Sequence, residues 1–77
     1  MNQIIVIDQE ATGENIRKLR LAAGISVKDL QKVLGFANPQ TIYKWQRGCG
    51  LPSIDNLVVI AGVFGVKVDD ILVTEKR

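Results

Sequence analysis

The chain has 77 residues, 47% of them hydrophobic, which suits one domain with a real but modest core and leaves no room for a second. Net charge is only +2, but it is unevenly spread: Glu14 to Arg47 holds seven bases against two acids, a local +5, and the remainder holds three bases against six acids, −3. With no histidine, no Gly-rich phosphate loop and no metal-ligand cluster, the chain lacks the parts of an enzyme or a metalloprotein, so neither catalysis nor a cofactor is expected.

Gln3 to Ile7 is short, mostly β-branched and ends at Asp8, which predicts a strand. Thr12 is placed to cap a first helix from Gly13 to about Ala23, with Ile16, Leu19 and Ala23 on one face. Gly24 then stops it. Ser26 caps a second helix, and Asp29 three residues on is an acidic relative of the capping-box partner. Leu30, Val33 and Leu34 form its expected buried stripe, Gly35 ends it, and Phe36 is expected to plug the turn.

Asn38-Pro39 opens a third helix, since Asn is a favoured N-cap and Pro a favoured first helical residue. Ile42 and Trp45 should face inward, leaving Gln40, Thr41, Tyr43, Lys44 and Arg47 largely outside. Gly48 to Pro52 reads as a loop. Ser53 caps a fourth helix from Ile54 to about Phe64 that is apolar on nearly every side, as expected of a helix central to a core or covered by a second subunit. Gly65 stops it. Val68 to Leu72 makes a short fifth helix with Asp69 and Asp70 in its first turn, and Val73 to Arg77 is a tail. In the competing reading Ile71 to Val73 pairs as a strand with Ile4 to Ile7. The expected division is an N-terminal arm or strand (1–12), a helical domain (13–73) and the tail (74–77).

Ser26 to Gly48 therefore has the layout of a helix-turn-helix whose second helix carries a polar and basic free face. Backbone amides at helix N-termini bind phosphates, which nominates Ser26 to Lys28 and the loop around Gly48 to Gly50. Lys28, Arg17 and Arg47 add candidate phosphate contacts, and Tyr43 either bonds a phosphate or packs its ring on the helix flank.

The spaced residues Ile16-x-x-Leu19-Arg20-x-x-x-Gly24-Ile25-Ser26, then Leu30-x-x-x-Leu34-Gly35, then Ile42-x-x-Trp45-x-x-Gly48 resemble the Cro/phage-repressor-like, or XRE-type, helix-turn-helix family. Pro52-Ser53-x-x-x-Leu57 and Gly65-Val66-x-Val68-Asp69-x-x-Leu72 continue the match, which covers about three quarters of the chain. The resemblance implies an all-α, five-helix, lambda-repressor-like DNA-binding domain with the third helix, about residues 39–47, in the major groove. It implies base contacts from Gln40, at an adenine-reading position, from Lys44 toward guanine or phosphate, and from Thr41 toward phosphate or a thymine methyl. Four departures stand out. The turn before Ile42 is one residue longer than the commonest version. Val27 replaces a phosphate-contacting Gln. Gln31 replaces a small Ala. Arg20 faces Gln46 where the family often has a Glu, which leaves a charge that DNA would welcome.

The implied function is a small transcription regulator, a repressor in the first instance, binding a pseudo-palindromic operator on double-stranded DNA as a homodimer. Helix four, helix five or the Ile4 to Ile7 strand would supply the dimer contact. The alternative is a protein-binding module on the same fold, such as an antitoxin, with a toxin or an anti-repressor as protein partner. A degenerate member that has lost DNA binding is a third reading. No small-molecule ligand is expected. The longest apolar run, Leu57 to Val66, contains two glycines and is too short to span a bilayer. The start of the chain lacks the basic n-region of a signal peptide and Cys49 is alone, so a cytoplasmic location is expected.

Overall fold

The computed structural model describes residues 3–77, so residues 1 and 2 of the expected arm lie outside the described residues. Seven elements follow in order: β1 (Ile5–Ile7), α1 (Gln9–Ala22), α2 (Val27–Leu34), α3 (Gln40–Gln46), α4 (Ile54–Phe64), α5 (Val68–Ile71) and β2 (Thr74–Lys76). The five expected helices are present, and a small sheet joins the two ends of the chain.

Each helix sends one aliphatic side chain to a common centre. Ile16, Leu30, Ile42, Ile60 and Ile71, one from each helix in turn, are fully buried. Trp45, Leu57, Ala61 and Phe64 complete the core. Removing each large side chain from water contributes about 1.5–3 kcal/mol, and that burial holds five short helices that would not form alone.

The caps follow local chemistry. Ser26 accepts from the Asp29 amide at 3.0 Å and Ser53 from the Asn56 amide at 3.2 Å, as their positions predicted. Gly35 and Gly65 close α2 and α4 in the left-handed conformation, both at φ 72°.

The first helix differs from the expectation. It starts a turn earlier, at Gln9, because Asp8 takes the Ala11 amide at 2.9 Å and is the N-cap. Thr12 is buried inside the helix instead. Its hydroxyl accepts from the Val73 amide (2.9 Å) and donates to the Val73 carbonyl (3.3 Å). Ala23 lies beyond the last helical residue and is exposed, so the face expected from Ile16, Leu19 and Ala23 is one residue short.

Val33 is exposed as well. Val27, Leu30 and Leu34 meet the core in its place, and Val33 sits one residue round the short helix from that stripe. In α3 the residue in front of the first helical position is Pro39, while Asn38 accepts the Gln40 amide at 3.0 Å.

The tail is a strand. Thr74–Lys76 pairs antiparallel with β1 in the register Ile5 to Lys76, Val6 to Glu75 and Ile7 to Thr74. The competing pairing of Ile71 to Val73 is displaced along the chain because Ile71 is still helical and fully buried. Asn15 caps the same corner, donating to the Asp70 and Ile71 carbonyls at 2.8 and 2.9 Å.

Candidate nucleic-acid interface

The exposed face of α3 is produced by two buried residues. Ile42 and Trp45, three apart, point into the core, and Phe36 meets Trp45 edge-on with ring centroids 5.8 Å apart at 67°. That anchorage turns Gln40, Thr41, Tyr43 and Lys44 outward, with Arg47 exposed just after the helix. Gln40, Lys44 and Arg47 recur at i, i+4 and i+7 along the outward side, with Thr41 on one flank and Tyr43 on the other. Phe36 is half-buried and fills the turn as expected.

The back of α3 is held against α1 by close approach. A Cβ on Gly13 would run into the Trp45 carbonyl oxygen, and one on Gly48 would come within 2.7 Å of the Glu10 backbone. Only glycine fits both places. Sequence reading missed this contact. Its signal was a glycine inside a helical pattern, disguised by starting the helix at that residue.

Arg20 adds a polar link between the same elements. It is buried, its Nε donates to Gln46 Oε1 at 3.1 Å, and its terminal nitrogen donates to the Ile25 carbonyl at 2.7 Å. The expectation of a free positive charge available to DNA is corrected: the guanidinium is enclosed by neutral acceptors and braces α1, the start of α2 and the end of α3. Gln31 plays a similar local part, donating to the Phe36 carbonyl at 3.2 Å and tying α2 to the lengthened turn.

The remaining basic residues are spread over other elements. Lys28 is exposed in the first turn of α2, beside the helix start that Ser26 caps. Arg17 is exposed on α1 and pairs with Glu14 at 3.2 Å, so part of its charge is already answered. Val27 is half-buried against the core, where a polar side chain would lose that packing. Cys49 is exposed in the loop after α3.

A family model described as helix-turn-helix matches residues 16–71, which takes in α2, α3 and the helices that brace them. The chain belongs to the XRE-type helix-turn-helix family. Helix-turn-helix proteins of known structure share the fold. The restriction-modification controller protein C.AhdI from Aeromonas hydrophila superposes with a TM-score of 0.72 at 23% identity, covering 83% of this chain and 96% of that one. The clp gene regulator ClgR from C. glutamicum gives 0.70 at 24% identity, over 82% of this chain and 80% of that one. The DNA-binding domain of BldD gives 0.69 at 23% identity, over 84% and 93%. No curated protein matches the chain significantly. In this helix-turn-helix protein no helix is long and apolar enough to cross a membrane, among the described residues.

Proposed function

We propose that the chain is a sequence-specific DNA-binding transcription regulator, acting as a repressor and binding a pseudo-palindromic operator as a homodimer. The observation that carries this reading is α3, anchored by Ile42 and Trp45 so that Gln40, Thr41 and Lys44 stand together on its free side. A Gln amide suits the paired donor and acceptor of adenine in the major groove, and Lys44 suits guanine or phosphate. Lys28, Arg17, Tyr43 and Arg47 serve as phosphate contacts, which set affinity and register without reading sequence. Membership in the helix-turn-helix family supports the assignment.

Selection from a randomised duplex library at physiological salt tests it directly. An enriched inverted repeat is expected. No enrichment by a folded protein would reject sequence-specific binding. On the selected site, Gln40→Ala and Lys44→Ala should each weaken binding by about 1–3 kcal/mol without unfolding the protein. Unchanged affinity in both variants would remove α3 from the reading role.

The second reading, an antitoxin-like protein-binding module, is favoured by one observation. The outer side of α4 exposes Ile54 (80%), Val58 (59%) and Val59 (40%), apolar surface beyond what the core requires. A small toxin-like reading frame beside the gene would move weight to it.

A further inference from the structure

The two-stranded sheet leaves one of its edges in an unusual state. Main-chain bonds run from the Asp8 amide to the Val73 carbonyl (2.8 Å) and from the Arg77 amide to the Ile4 carbonyl (2.9 Å). With the register fixed by Val6 opposite Glu75, residues 4, 6 and 8 turn their main-chain groups toward β2. Ile5 and Ile7 therefore turn their N–H and C=O groups outward, and no main-chain partner for either N–H occurs among the described residues. Their side chains share the outer face of the sheet and are 58% and 40% exposed.

Among the described residues nothing defends that edge. Gln3 to Ile7 carries no charge, no proline and no glycine. Protein edges of this kind are ordinarily blunted by a Lys, a Pro or a bulge. The β2 edge differs, since Glu75, Lys76 and Arg77 line it. Pairing β2 with its own copy about Glu75 or Lys76 sets like charges directly opposite each other.

We infer that β1 is a dimerisation edge whose occupant is β1 of a second copy, in the antiparallel register centred on Val6. Only residues that both face outward can form a hydrogen-bonded pair, and centring on Val6 sets Ile5 opposite the partner's Ile7. Each such pair exchanges both main-chain bonds. Val6 meets its own counterpart on the two-fold axis. The result is a four-stranded antiparallel sheet, ordered β2-β1-β1-β2, with the exposed isoleucines of both copies clustered on one face. Cross-strand pairs of β-branched residues are among the favourable ones, and no like charges oppose one another in this register. The interface is small, so the dimer is weak and concentration-dependent. The inference deepens the homodimer reading above by naming the surface.

The test contains no DNA, so failure of operator binding and failure of this interface are separate results. Sedimentation is followed from low micromolar to millimolar protein, with amide exchange measured by NMR on the same samples. The expected result is a monomer–dimer transition accompanied by slowed exchange at the Ile5 and Ile7 amides, while Val6 and Asp8 are protected throughout. Ile5→Pro removes one outward N–H and leaves the bonds to β2 in place. It should abolish the dimer with the helical content unchanged, whereas Ile54→Lys on α4 should leave the dimer intact. A monomer at every concentration, or a dimer whose Ile5 and Ile7 amides exchange freely, overturns the inference. So does an Ile5→Pro protein that is folded and still dimeric. If Ile5→Pro does not fold, the exchange pattern of the parent protein decides.

Discussion

Gly13 and Gly48 set how closely α1 and α3 approach, and both act by lacking an atom. Gly13→Ala places a methyl group into the Trp45 carbonyl, which backbone cannot easily yield. Overpacking of this kind costs about 1–3 kcal/mol, so a lowered urea midpoint is expected. Gly62 provides the contrast. It lies on the exposed side of α4 with open space around its Cα. Gly62→Ala should raise stability by about 0.4–1 kcal/mol, chiefly by restricting the unfolded chain. The two variants differ only in what a methyl group would meet. Equal effects on stability would show that the close approach at Gly13 has no energetic weight.

At the scale of elements, α3 is positioned by α1 through the Arg20 to Gln46 bond as well as through packing. Gln46→Ala leaves the Arg20 Nε without its acceptor in a buried place. The expected loss is about 1–3 kcal/mol in chemical denaturation, because the desolvation of that donor is no longer offset. One turn before Arg20 on α1, Arg17 pairs with Glu14; both partners are exposed and the pair contributes little to folding. Arg17→Ala should leave stability nearly unchanged, weaken binding to every DNA sequence alike, and reduce the salt slope of binding by about 1. A change confined to one sequence would place Arg17 at a base instead of a phosphate.

The whole molecule is closed by its two ends. Thr12 and Asn15 on α1 hold the chain at residues 70 to 73, and β1 pairs with β2 beyond that corner. Thr12→Val keeps the shape and removes the hydroxyl that serves both main-chain groups of Val73. The expected cost is about 1–3 kcal/mol, chiefly the desolvation penalty of the part-buried Val73 amide, since the Val73 carbonyl keeps the Asp8 amide as donor. Exchange at the β1 and β2 amides should rise more than in α4, since strand pairing depends on that corner. Uniform exchange across the molecule would show that the ends unfold with the core.

Local chemistry in the sequence was enough to set the helical composition of this protein, the bounds of α2, α4 and α5 to within a residue, and the outward face of α3. Ser26, Ser53, Gly35 and Gly65 act through atoms a few residues away, and Ile42 with Trp45 needs only the helical repeat to point the other side chains out. The start of α1 is local too, set by Asp8 three residues from the amide it caps, but the role of Thr12, the strand at Thr74–Lys76 and the enclosure of Arg20 were decided by tertiary structure. Their partners stand far along the chain: Val73 is 61 residues from Thr12 and Gln46 is 26 from Arg20. A hydroxyl near a helix start looks like a cap until a distant backbone arrives to use it, and an arginine looks free until packing encloses it. Such contacts depend on chain closure over long separations, and no local pattern of residue types encodes them.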